Sequence, residues 1–151
     1  MQNEYAGFWI RLIAYIIDSI IIYAIFIPIA FIVGLLVGLI GSLSGFNHHS
    51  IIQLSEFLGT LIGILGFVSY FTFLEKSKAQ ATFGKRLCSL QVTDITGNRL
   101  TTRTALFRTL GKYLSAFIFL IGFIMAAFTK KKQSLHDLIA KTYVIKKQKV
   151  N

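Results

Sequence analysis

Three things are scarce in this 151-residue chain: acidic residues, proline and cysteine. Only 6 Asp+Glu stand against 16 Lys+Arg, for a formal charge of +10. One Pro and 12 Gly exclude a collagen-like or Pro/Gly-rich disordered chain. The single Cys88 forms no internal disulfide, and its neighbourhood has no metal-ligand spacing, so it reads as an ordinary small residue. What is abundant is apolar: 54% of residues are hydrophobic and the mean hydropathy is +0.66. A soluble domain of this length has too small an interior for several long apolar runs, whereas a bilayer solvates them. The composition is that of an integral membrane protein.

Three hydrophobic segments follow one another: Phe8 to Ile40, Phe57 to Leu74 and Leu114 to Phe128, the last extending to Leu106 if Arg108 and Lys112 are included. At ~1.5 Å per residue the first is about 50 Å long as a helix and overshoots a ~30 Å hydrocarbon core. It must tilt, bend at Pro28 or run through the headgroups. The segment is too long for a signal-peptide core and no clean cleavage site follows it, so it reads as an uncleaved span. Gly34, Gly38, Gly59, Gly63 and Gly66 offer small surfaces for close helix approach.

The positive charges set the expected orientation. Gly41 to Glu56 contains no Lys or Arg and is expected as an outer loop, while Glu75 to Lys112 and the tail after Thr129 hold every basic residue except Arg11. A third full crossing would carry Lys130, Lys131 and Lys132 outward. The preferred reading is a basic interfacial helix, with Leu106, Leu110, Tyr113 and Leu114 on one side, leading into a re-entrant segment that breaks near Gly122. Three plain spans are the alternative. The fold class is thus an all-α integral membrane protein with two full transmembrane helices, a third re-entrant or spanning segment, and a small cytoplasmic β element. For the last, residues 87–101 alternate apolar and polar and turn at Thr96-Gly97-Asn98, predicting a hairpin. A lone hairpin is marginal, and 142–147 supplies the candidate third strand.

Two charges interrupt the first apolar segment. Arg11 and Asp18 are seven residues apart, two helical turns, and so share one face. A charge in lipid is costly and is usually retained for a role. If the charge-free stretch from Ser19 onward makes the crossing, Asp18 sits at the inner boundary; if the helix enters the core near Phe8, it lies deep. Arg11 suits a partly dry carboxylate, and is expected to neutralise Asp18 with help from Asp137, although it could also snorkel to phosphates. Asp137 follows Ser134 by three, the capping-box spacing, which explains it locally.

The stretches "GFWIRLIAYIID", "TFGKRLCSLQVTD" and "KKKQSLHDLIAKTYVIKK" together resemble the RDD family of bacterial membrane proteins, over nearly the whole chain and in the family's order. The family's Arg and two Asp fall on Arg11, Asp18 and Asp137. Gly84, Lys85, Arg86 and His136 belong to the accompanying stretches. The resemblance implies a bacterial cytoplasmic membrane and a suggested part in transport.

Other chemistry is not expected. Phe83-Gly84-Lys85-Arg86 lacks the remaining positions of a phosphate loop. His48-His49 has only Glu56 near it and makes no metal site. His136 and Asp137 are adjacent, and helix neighbours point apart, so they form no catalytic pair. No cofactor and no enzymatic activity are implied. The basic residues flank apolar spans without an aromatic platform, which points to anionic lipid headgroups rather than nucleic acid. The preferred function is a proton or small-cation transporter centred on Asp18 and built as a homo-oligomer, a preference that comes largely from the resemblance; the alternative is a non-transporting membrane module in which the charges form a structural lock and the basic inner face holds anionic lipid.

Overall fold

The computed structural model describes residues 4–118 and 121–147. The chain is mostly helical. In order it forms α1 (Phe8–Leu43), α2 (His48–Lys76), α3 (Phe83–Leu87), β1 (Leu90–Asp94), α4 (Thr102–Phe117), α5 (Ile121–Phe128), α6 (Leu135–Ile139) and β2 (Thr142–Lys146). Both α1, of 36 residues, and α2, of 29, are long and apolar enough to cross a membrane. The pair α4 and α5, which meet at 96°, adds a third span only if counted as one bent element. Helix α1 continues through Pro28.

The contacts divide the chain into two compact units. One comprises Ile20–Ser69, the apolar stretches of α1 and α2 and their connection. The expected outer loop is largely absent: α2 begins at His48, inside the stretch read as loop, and only 44–47 separates the helices. The cause is local, since the Asn47 side chain accepts the Ser50 N–H at 2.8 Å, the geometry of a helix N-cap, and starts α2 early. The glycines also differ from expectation. A Cβ on Gly66 would run into the Phe26 ring, so there two helices do approach closely, but Gly34, Gly38, Gly59 and Gly63 face open space.

The second unit gathers the described parts of Met1–Ser19 and Tyr70–Asn151. Its apolar core is small: Ala6, Ala14, Leu90, Val92, Leu100, Ala105 and Val144, with Ile10 and Cys88 packed against it. Strands β1 and β2 pair antiparallel with Val92 opposite Val144. The predicted hairpin is corrected here. The turn forms, with Asp94 accepting the Thr96 and Asn98 N–H groups and Gly97 at φ +84. Its second arm is not a strand, because Thr101 accepts the Thr104 N–H at 3.2 Å and starts α4 instead. Strand β2 is the predicted strand of the tail, and its other edge is met by Tyr5, bridged to Ile145.

Helix α4 is inverted relative to a soluble amphipathic helix. Ala105, Arg108, Thr109, Lys112 and Ser115 form its buried stripe, while Leu106, Phe107, Leu110, Leu114 and Phe117 are exposed. That is the arrangement lipid favours, since hydrocarbon solvates leucine and only protein groups satisfy a charge. The expected break at Gly122 lies earlier, between α4 and α5. Gly122 is needed for packing: a Cβ there would come within 2.7 Å of the Ser115 side chain.

Candidate functional site: a buried ion network

Two carboxylates anchor the second unit. Glu75, in the last turn of α2, is fully buried and accepts Lys85 Nζ at 2.5 Å, Arg108 Nη1 at 2.5 Å and Lys112 Nζ at 2.9 Å. Asp137, in α6, is also fully buried and accepts Arg11 Nη1 at 2.5 Å, with Arg108 Nη2 at 2.6 Å and Nε at 3.0 Å. Arg108 therefore bridges the two, using the fork of guanidinium donors that a lysine lacks. Lys112 also lies 3.4 Å from the centroid of the Phe71 ring, a cation–π contact in a dry setting.

Asp137 fulfils both roles read for it. Its Oδ2 accepts the Ser134 N–H at 3.2 Å, the capping half of the expected box, and the same carboxylate holds two arginines. Burial alone would raise its pKa, but the guanidinium groups, Arg108 first and also Arg11, hold it well below the ordinary carboxylate range. Burial lowers the Lys85 ammonium below its usual value, and Glu75 only partly offsets this. His136, sealed among cations, is driven well below its usual value chiefly by burial, and its ring nitrogens face Ser134 at 2.9 Å and Ser115 at 3.4 Å.

The predicted Arg11–Asp18 pair is not made. Arg11 turns to Asp137, to the Ala6 carbonyl at 3.0 Å and to the Val144 carbonyl at 3.4 Å. Two turns of helix separate the charges by about 10 Å, and each finds a nearer partner off the helix. Asp18, fully buried, accepts Tyr70 OH at 2.7 Å, Thr82 Oγ1–H at 2.5 Å and the Gly84 N–H at 2.7 Å. It thus caps α3 from another part of the chain, at the end where backbone N–H groups are unpaired. Thr82 occupies the N-cap position but spends its hydroxyl on Asp18.

The accompanying motif now divides by partner. Gly84 serves Asp18, Lys85 serves Glu75, and His136 packs beside Asp137, while Arg86 is exposed and lies over the Phe83 ring. Glycine at 84 is required for space: a Cβ would collide with the Ala14 carbonyl oxygen and come within 2.9 Å of Asp18 Cγ. Gly84→Ala is expected to destabilise by about 1–3 kcal/mol, the range for overpacking a tight site. Thermal unfolding in detergent checks this, and an unchanged midpoint would mean that the contact between α1 and α3 is loose.

Sequence reasoning missed Glu75 as an anchor and Arg108 and Lys112 as its buried partners. A signal was present in α4, where Arg108 and Lys112 are four apart in a stripe shared with Ala105, Thr109 and Ser115.

Residues 5–141 match the profile of the RDD family. The chain is 38% identical over 148 residues to "Uncharacterized protein YxaI" of Bacillus subtilis (strain 168), covering 94% of this chain and 97% of that one. It is 29% identical to "Uncharacterized membrane protein YteJ" of the same organism, covering 96% of this chain and 83% of the other. No solved structure matches it. With its Arg11, Asp18 and Asp137 all buried or nearly so in one compact polar unit, the chain belongs to the RDD family of membrane proteins.

Proposed function

We propose that this protein is a non-transporting, non-enzymatic module of the bacterial cytoplasmic membrane, locked by its ion network and held to anionic lipid headgroups on the cytoplasmic face. The observation that carries this reading is the occupancy of its buried carboxylates. Glu75 and Asp137 are shared among four cations, and Asp18 is filled by three donors, so none is left open as a cation seat. Charge segregation supports the orientation. Residues 20–69 contain no Lys or Arg, whereas Lys78, Arg86, Arg99, Arg103, Lys130, Lys131 and Lys141 are all exposed in the second unit. Pairing of β1 with β2 brings the segments before α4 and after α6 to one sheet, which supports a re-entrant α4–α5 and a cytoplasmic tail.

The test uses the purified chain in vesicles with an internal pH dye and an imposed sodium or potassium gradient. The expected result is no proton movement above protein-free vesicles, together with a higher melting midpoint in phosphatidylglycerol than in phosphatidylcholine that salt erodes. Each exposed Lys or Arg near the surface contributes roughly 1 kcal/mol to such an attraction. A cation-driven pH change that Asp18→Asn abolishes would instead establish transport through Asp18.

A further inference from the structure

Beside the ion network lies a cavity of about 360 Å³. Phe8, Leu12 and Tyr15 of α1, Ala116 of α4, and Phe123 and Ile124 of α5 give it an apolar wall. The same cavity is lined by the cations Arg11, Lys85, Arg108 and Lys112 and by Asp18 and His136. Pockets of roughly 300–1,000 Å³ with a few convergent polar groups are the usual form of small-molecule sites.

At formal charges that lining does not balance. Four cations share Glu75 and Asp137 through direct ion pairs, and counting Asp18 as well still leaves one positive charge in excess. An uncompensated cation is costly where water is scarce. Lys112 spends one of its three ammonium donors on Glu75 and rests against the Phe71 ring, so it retains donors for another acceptor.

We propose that this cavity binds an amphipathic anion, a single hydrocarbon chain carrying a carboxylate or phosphate head, with the head at Lys112 and Lys85 and the chain along Phe8, Leu12, Phe123 and Ile124. The head supplies the missing negative charge, and the tail covers the apolar lining. A cationic amphiphile meets like charge, and a neutral one leaves the imbalance in place. This site is distinct from the headgroup contacts of the exposed lysines and arginines: those act by charge alone and are eroded by salt, whereas a buried head is screened far less.

Native mass spectrometry of the purified full chain in a maltoside detergent tests this with dodecanoate, lysophosphatidylglycerol, dodecanol and dodecyltrimethylammonium. The expected result is retention of a single anionic amphiphile per chain, with the alcohol and the ammonium at least about tenfold weaker, the discrimination that a charge-assisted hydrogen bond gives. The stronger of the two anions identifies a fatty acid or a lysolipid as the source. Lys112→Gln is expected to weaken binding by a similar factor. Ala116→Phe, which adds a ring at a lining residue that makes no ion pair, should abolish binding while helicity by circular dichroism is retained. Equal retention of dodecanol, or unchanged binding in a folded Ala116→Phe protein, would overturn the proposal. Neither readout depends on ion flux or on bilayer composition, so this site and the function proposed above fail separately.

Discussion

Glu75→Gln is expected to destabilise the protein by about 3–5 kcal/mol, the cost of breaking a buried ion pair by removing one partner. The amide keeps the shape of the carboxylate but loses its charge, and it turns two N–H donors toward groups that are themselves donors. Lys85, Arg108 and Lys112 then share no anion at that end, and Arg108 retains only Asp137 among its carboxylates, with Thr142 as a neutral acceptor. Urea or thermal unfolding in a fixed detergent measures the loss. Glu75→Asp, shorter by one methylene, should recover part of it, because the charge remains within reach of the flexible lysines. A midpoint for Glu75→Gln within the range of an ordinary surface substitution would show that water reaches the cluster and that the network holds little together.

Arg108→Met ranks next, again at about 3–5 kcal/mol, because it leaves two buried carboxylates short of their common partner. Glu75 keeps Lys85 and Lys112, and Asp137 keeps Arg11. Arg108→Lys should restore the charge but only part of the stability, since one ammonium cannot reproduce the fork that spans both acids. The decisive measurement is a double-mutant cycle. In a Glu75→Gln background Arg108→Met should cost less than in the native chain, with a coupling of roughly 0.5–3 kcal/mol. Additive costs would mean that Arg108 and Glu75 act independently, despite their 2.5 Å contact.

The two long helices were legible because nothing in an aqueous fold accommodates such apolar runs. The start of α2 was not, since His48 to Glu56 is too polar to read as span and its helical state rests on the cap from Asn47. Arg11, Asp18 and Asp137 were recognisable as unusual charges, and Arg11 does meet Asp137. Their full pairing was not readable, because the partners of Asp18 lie 52 to 66 residues along the chain and are neutral. Glu75 looked like the boundary of a hydrophobic segment, with its three cations 10, 33 and 37 residues away. Arg108 and Lys112 looked like headgroup-facing charges because α4 carries leucines on its other side. Once those leucines face lipid, the same pattern buries the cations. The turn at Asp94 was local and correctly read, whereas the partner of β1 depended on where the tail goes.

Arg11 and Asp137 are 126 residues apart, so the arginine of this ion pair is synthesised well before its carboxylate. When α1 emerges from the ribosome and enters the bilayer, Asp137 is not yet made to meet its arginine, whereas Arg108 later emerges with Glu75 already in the chain. Lipid phosphate is the anion at hand during that interval. The network closes as α6 and β2 arrive and the strand seals against Tyr5 and β1. A membrane poor in anionic lipid is accordingly expected to slow maturation more than it weakens the finished fold.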